Sequence, residues 1–343
     1  MNGPNTLPFV PSLSREACRR KPVEGSLSRE ACRGKPVEGN LSKDLFRISF
    51  TVIQGSTDNT MFQRTVRSPV RFQGPGLHTA GHHEICIKPA RVDFGVVFRK
   101  FAKDGSFEDI HASWKNTKDL PLCTCISNDQ VSHVRTIEHL MAALYACEID
   151  NALIEVQGSE VPILDGSALP FVEAILQVGV EEQSAPRRVH VIEKTFEVTE
   201  ANRFIKIEPG EDEGLYVDLT ISLAKIGMLR WAGTLSPQLF RDEMAGARTF
   251  GRLRNGFLAK LTRFKKDPIC LGANTRSALV IVGDKVINRG GLRMPDEYVR
   301  HRVLDLMGDL MLAGCRFQGR ITAESTAHRL NHQLLRKIFS EQA

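Results

Sequence analysis

The sequence has no long apolar run, no CxxC pair and few large aromatic residues. Among its 343 residues there are only two tryptophans and three tyrosines. No stretch approaches the roughly 18 apolar residues that a membrane-spanning helix requires, which argues against a helical membrane protein. The eight cysteines are Cys18, Cys32, Cys86, Cys123, Cys125, Cys147, Cys270 and Cys315. Their spacing offers no Cys₄ zinc motif, and a chain of this length needs no disulfides, so reduced thiols are expected. An excess of one charge sign is also slight. Lys and Arg total 46 against 40 Asp and Glu, a net charge of +6. That balance is too mild to point to nucleic acid, and no nucleic-acid-binding signature accompanies it. What is present, 42% hydrophobic and 25% charged residues, describes an ordinary globular protein long enough for two domains.

Residues 1–60 differ from the rest. "SLSREACRRKPVEG" (12–25) is followed at once by "SLSREACRGKPVEG" (26–39). Two charged, Ser- and Pro-containing copies fall short of the roughly three units a solenoid needs, so this segment reads as a disordered extension. Organellar targeting is the lesser reading, because Glu16, Glu24, Glu30 and Glu38 interrupt what a transit peptide would keep acid-poor.

From Met61 the pattern becomes that of a folded chain. "QRTVRSPVRF" and "HHEICIKPA" alternate as half-buried strands do, and "DFGVVFRK" is a more continuous strand. Val131, Val134, Ile137, Met141 and Leu144 fall at helical spacing. "NALIEVQG" reads as a strand, "PILDGSA" as a turn and "LPFVEAILQVG" as a second helix. The polar "EEQSAPRR" (181–188) reads as a linker between domains at 61–182 and 188–343. Beyond it, strands are expected at 189–199, 203–208, 214–223 and 278–288. Helices are expected near 236–245, at 295–313 and over "HRLNHQLLRKIF". Two similar halves of mixed elements indicate an α+β protein of two layered domains. The basic stretch 248–266 reads as a surface helix with a solvated cationic face, or as a surface that meets an anionic lipid or nucleotide.

In "VRHRVLDLMGDL" (299–310), His301, Asp305 and Asp309 recur every four residues and share one helical face. That face is either wetted by solvent or a ligand face, since a His and an Asp one turn apart can clamp one metal ion. Glu138–His139 and His328 are the other histidine sites with company. Singly, each reads as a surface or core histidine. Together they supply the parts of a hydrolytic zinc site. His139, His301 and Asp305 would be ligands with a fourth position left for water, whose pKa zinc lowers to about 7. Glu138 would take that water's proton, and His328 would protonate a leaving amine. Asp309 would hydrogen-bond a histidine and fix its tautomer.

"RTIEHLMAALYACEIDNALIEVQGSEVPILDGSALPFV" (135–172) closely resembles a signature segment of the UDP-3-O-acyl-N-acetylglucosamine deacetylases, the zinc enzymes of lipid A biosynthesis. The resemblance continues collinearly in "GPGLHTAGHHEICIKPA" (74–90), "LCTCI" (122–126), "ARTFG" (247–251), "LRMPDEYVRHRVLDLMGDLMLAG" (292–314) and "STAHRLNHQLL" (325–335). It implies two layered α/β units whose helices pack between the sheets, with the active site in the cleft between them. It also implies Zn²⁺ as cofactor and hydrolysis of the 2-acetamido group of a UDP-linked, acyl-bearing glucosamine, with release of acetate. His139, His301 and Asp305 match the family's zinc ligands, Glu138 its general base, His328 its general acid and Asp309 the carboxylate that orients that histidine. Thr249 matches the threonine that helps hold the oxyanion. Leu122, Cys123 and Phe250 resemble positions that contact substrate.

Two departures stand out. Arg302 occupies the place of a lysine that stabilises charge near the reaction centre, and a planar guanidinium is not a point charge. After "ARTFG" the family has a helix of mixed charge and a Gly-Gly-Ser stretch, which build the passage for the acyl chain. Here the basic 252–266 stretch and "LGANTRSALVI" (271–281) stand instead. Other readings are therefore a relative that binds zinc and a nucleotide-sugar or lipid without turnover, and a zinc deacetylase for another N-acetylated sugar. The expected partner is the small-molecule lipid precursor, with contact at a membrane surface conceivable. The expected compartment is the cytoplasm.

Overall fold

A computed structural model describes residues 61–102, 104–128, 132–211 and 213–340; the tandem repeat lies outside the described residues. The helices are α1 (Glu138–Ala146), α2 (Leu169–Val178), α3 (Pro237–Leu239), α4 (Leu253–Lys260), α5 (Glu297–Leu310) and α6 (His328–Ser340).

Two larger sheets share one plan. In the first, the hairpin of Val70–Pro75 and His82–Pro89 and the hairpin of Val96–Phe101 and Phe107–His111 flank Ala152–Gln157. That central strand runs antiparallel to 82–89 and parallel to 96–101. In the second, the hairpins of Phe196–Glu200 with Arg203–Glu208 and of Leu215–Leu223 with Gly227–Leu235 flank Arg316–Glu324. The central strand again runs antiparallel to one hairpin and parallel to the other. Each half thus reads hairpin, hairpin, helix, strand, helix, with α1 and α2 in the first half matched by α5 and α6 in the second.

Each half also carries an insert between its second hairpin and its first long helix. The first insert is a small sheet of Thr117–Leu120, Cys123–Ser127 and His133–Arg135. The second holds α3, α4 and the small sheet of Phe250–Arg252, Leu279–Val282 and Lys285–Val286.

One continuous apolar cluster runs through both halves. Every residue of α1 is buried, as its nearly unbroken apolar sequence requires, and the small Ala142, Ala143 and Ala146 leave room for close neighbours. α2 and α6 bury one face each, through Phe171, Val172 and Ile175 and through Leu330, Leu334, Leu335 and Ile338. Truncating one such buried leucine to alanine costs about 2–5 kcal/mol. α1 packs along α5, and Gly308 sets their separation. A β-carbon at that glycine would lie 2.1 Å from the Glu138 carbonyl oxygen.

Several sequence expectations need correction. The helix expected from Val131 begins only at Glu138. Residues 133–135 instead pair with 123–127 as a strand, and Thr136, at φ 58°, turns the chain between the two. The polar 181–188 segment is largely strand rather than irregular chain, since Val180–Pro186 pairs with Phe62–Val66 in a two-stranded ribbon. The expected strand 189–199 is two strands, 189–191 and 196–200. The helix near 236–245 is one short turn followed by a π-helical turn over Phe240–Met244. In the basic stretch only 253–260 is helical, and Leu253, Phe257, Leu261 and Phe264 are all exposed.

Candidate active site

The polar stripe of α5 does not face open solvent. His301, Asp305 and Asp309 are all buried, as are Glu138 and His139 in the first turn of α1. The close crossing at Gly308 brings the two helices' polar groups together. His139 Nε2 lies 3.7 Å and His301 Nε2 3.3 Å from Asp305 Oδ1. The two imidazoles meet edge to face, with ring centroids 5.1 Å apart. All three candidate ligand atoms fall within 4.8 Å of one another.

This set fits a zinc-like ion. Tetrahedral coordination with bonds of about 2.0–2.2 Å separates ligand atoms by about 3.3 Å, so small adjustments would close the trio on one ion. Two imidazoles and one carboxylate disfavour calcium and magnesium, which take oxygen ligands. His301 Nδ1 lies 3.1 Å from the Ala247 carbonyl, which accepts its proton and leaves the Nε2 lone pair turned to the site. That carbonyl is itself fixed, because the neighbouring Arg248 forms a two-pronged, largely buried ion pair with Glu297 at the start of α5. Burial pushes the His139 imidazole down to about 3, with the nearby His301 adding to the effect. Burial likewise lowers His301. Both rings therefore stand neutral at neutral pH, as metal ligands must. Burial alone would raise the Asp305 carboxyl, but the surrounding His301, His328 and Arg302 hold it below its ordinary range. Arg302 donates from Nη1 to Asp305 Oδ2 at 3.0 Å, leaving Oδ1 toward the histidines.

A second cluster lies beside the first. His328 Nδ1 sits 2.8 Å from Asp309 Oδ2, and Asn331 donates to the same oxygen at 2.8 Å. Burial disfavours a charged His328, but the Asp309 charge and hydrogen bond override it and carry the imidazolium up to about 10. Glu138 is likewise pushed up, to about 8, by burial, against the opposing pull of His328. Thr124 ties the groups together. Its backbone N–H donates to Glu138 Oε2 at 3.0 Å, its hydroxyl donates to Asp309 Oδ1, and His328 Nδ1 and His332 Nε2 lie 3.1 and 3.3 Å from that hydroxyl. A buried carboxyl and an imidazolium on either side of one trio of candidate metal ligands are the groups that amide hydrolysis requires.

These groups open onto a cavity of about 910 Å³ lined by Glu138, His139, Asp305, His328, Thr249, Phe250, Leu122 and Arg302, among others. Thr249 spends its backbone N–H on Gly166, so its hydroxyl is its free donor. Phe250 packs against Tyr298 and His301, with the Arg302 guanidinium 5.2 Å above its ring. Cys123, the remaining position expected to contact substrate, stands apart from Leu122 and Phe250. Its side chain is buried outside the cavity lining, with Arg135 Nη2 4.0 Å from Sγ. Thr124, Asn331 and His332 escaped the sequence reading altogether. His332 stands four residues after His328, the spacing that drew attention to His301 and Asp305 and could have flagged it too.

Two imidazoles and a carboxylate, flanked by a buried carboxylate and an imidazolium at one cavity, define the chain as a metal-dependent hydrolase in class. The family follows from comparison. The LpxC family description, "UDP-3-O-acyl N-acetylglycosamine deacetylase", matches residues 63–340, and the chain belongs to that family. It is 38% identical over 278 residues to a UDP-3-O-acyl-N-acetylglucosamine deacetylase of Phenylobacterium zucineum (strain HLK1), covering 81% of this chain and 93% of that protein. It is 38% identical over 280 residues to the protein of the same name from Geobacter sp. (strain M21), covering 81% and 89%. With the Shewanella violacea protein of that name it shares 35% over 286 residues, covering 82% and 91%. Among the described residues, no helix is long and apolar enough to cross a membrane.

Proposed function

We propose that the chain hydrolyses the 2-acetamido group of UDP-3-O-acyl-N-acetylglucosamine, releasing acetate and a free amine, as a zinc-dependent step of lipid A biosynthesis. The observation that carries this reading is the convergence, at one cavity, of the His139–His301–Asp305 trio with Glu138 on one side and the His328–Asp309 pair on the other. The relatives' shared name supplies the substrate. A cavity of about 910 Å³ is ample for a sugar nucleotide.

His139 Nε2, His301 Nε2 and Asp305 Oδ1 would hold the metal. Zinc bound there supplies a water with a pKa near 7, a Lewis acid for the carbonyl oxygen and a positive charge that favours the ionised form of Glu138. Glu138 takes a proton from the attacking water. Its Oε2 is engaged by the Thr124 N–H, so Oε1 is the accepting atom. The Thr249 hydroxyl donates to the oxygen that becomes negative as the carbonyl is attacked. His328, whose Nδ1 is committed to Asp309, delivers its Nε2 proton to the departing nitrogen as the C–N bond breaks. Phe250 and Leu122 form apolar wall, and the Arg302 guanidinium contributes positive charge beside them.

In this reading the duplicated halves, 61–182 and 188–343, act as two domains with the site in the cleft between them. The cytoplasm is the proposed compartment, in keeping with the free thiols of all six described cysteines.

The test is acetate release from UDP-3-O-acyl-N-acetylglucosamine by the full chain, zinc-loaded and after chelation. Release that chelation abolishes and zinc restores is the expected result. A folded, zinc-containing protein that releases no acetate would overturn the assignment.

A further inference from the structure

The 253–266 segment presents an unusual surface. Leu253, Phe257, Leu261 and Phe264 are 44%, 68%, 75% and 96% exposed, the first two on α4 and the last two in the turns that follow it. Single exposed apolar residues are ordinary, but four large ones in a row mark a contact surface. Between and beside them stand the exposed Arg254, Arg263, Lys265 and Lys266, none in an ion pair among the described residues. No acidic residue occurs from 244 until Asp267. The segment is nevertheless anchored. Ala259 is buried, the Thr262 hydroxyl donates to the Ala259 carbonyl, and that hydroxyl accepts the Ile269 N–H. Phe250 and Cys270, three residues before it and four after it, both line the cavity.

We propose that residues 253–266 dock the protein on an anionic lipid bilayer, with the aromatic and leucine side chains entering the interface and the cations meeting lipid phosphates. Charge complementarity selects this occupant. A second copy would set one cationic, acid-free segment against another, whereas an anionic membrane satisfies both the apolar and the basic members at once. Because the chain on either side of the segment borders the cavity, docking would bring the cavity toward the lipid surface. This inference stands independently of the reaction assigned above.

The test is sedimentation of the full chain with vesicles of phosphatidylcholine alone or mixed with phosphatidylglycerol. Binding is expected only to the anionic vesicles and is expected to fall as salt rises. It should weaken by about tenfold or more in the F257S/L261S/F264S variant and in the R263Q/K265Q/K266Q variant. Unchanged thermal melting would show that each variant folds. As a measurement free of that concern, F264W should gain a blue-shifted emission component on adding anionic vesicles, quenched by brominated lipid. Failure of the parent to bind, binding that survives both triple variants, or an F264W spectrum indifferent to vesicles would overturn the proposal. So would a concentration-dependent dimer that the same substitutions dissolve, which would assign the face to a second copy.

Discussion

The two inserts occupy equivalent places in the duplicated plan, and their characters are opposite. In the first, Cys123, Thr124, Cys125 and Ile126 are all buried, and Thr124 touches Glu138, Asp309 and His328. In the second, Thr249 and Phe250 reach the cavity, but the stretch that follows turns its largest side chains outward. Both departures from the family pattern lie at or beside the second insert: the 252–276 segment itself, and Arg302 over Phe250. The comparison teaches that the buried insert fixes the geometry of the chemistry, while the exposed one is free to vary. Substitutions should therefore lose severity from the Thr124–Glu138 contact outward to Phe250 and Arg302.

The largest effect is expected at Glu138, which the first insert holds directly. Glu138→Gln keeps the shape and the Thr124 N–H contact but cannot take a proton, so kcat should fall by about a thousandfold. Bound zinc, measured by elemental analysis, should stay at the parent level, because Glu138 is not among the three ligand residues. Loss of zinc in this variant would make Glu138 a ligand and break the division of labour argued here.

Asp309 comes next. His328 owes its raised pKa to Asp309, so its proton is present below about 10 and is lost as pH rises through that value. Asp309→Asn removes the charge and leaves burial to act unopposed. The alkaline limb of the kcat/KM profile should move down by at least about one pH unit, with a loss of about a hundredfold at neutral pH. The same sign governs stability. A folded-state pKa above the unfolded value contributes stability that is complete below about 6.5 and disappears as pH climbs toward 10. A limb that does not move would show that another group donates the proton.

Much of this was legible in the sequence, and what was not has physical reasons. α2 and α6 declare themselves because each buries one side and keeps the apolar period, and α5, though buried nearly all round, keeps its apolar residues at helical spacing. The start of α1 did not, because Val134 sits on that period while belonging to a strand, and only the positive φ at Thr136 breaks the run. The strand 227–235 was missed because its outward positions include the exposed Met228, which blurs the alternation. The site showed itself where ligands lie one helical turn apart, as at His301 and Asp305. Thr124, the Ala247 carbonyl and Asn331 act across long sequence distances and partly through backbone, and no local spacing announces such contacts.

The helix crossing gives a more moderate test. Gly308→Ala puts a methyl group 2.1 Å from the Glu138 carbonyl oxygen, so α1 and α5 must separate. Overpacking of this kind costs about 1–3 kcal/mol, readable by urea denaturation. Because the candidate ligands divide between these helices, zinc affinity and kcat should each fall by roughly tenfold or more. Unchanged affinity would mean that the trio tolerates a looser crossing than its geometry suggests.

The smallest effect is expected at Arg302, where the second insert meets the site. Its guanidinium bonds Asp305 Oδ2 and lies over Phe250, two contacts at a side chain 29% exposed. A lysine keeps the charge but gives up the planar stacking, worth about 0.5–1 kcal/mol at exposed sites. Arg302→Lys should therefore change kcat/KM by no more than about fivefold and leave zinc affinity nearly unaltered. Arg302→Met, which removes the charge beside Asp305, should cost more than the lysine does, and the ratio of the two separates charge from shape. Should the lysine prove as damaging as the methionine, the guanidinium's shape would be part of the site, and the second insert could no longer be regarded as the tolerant one.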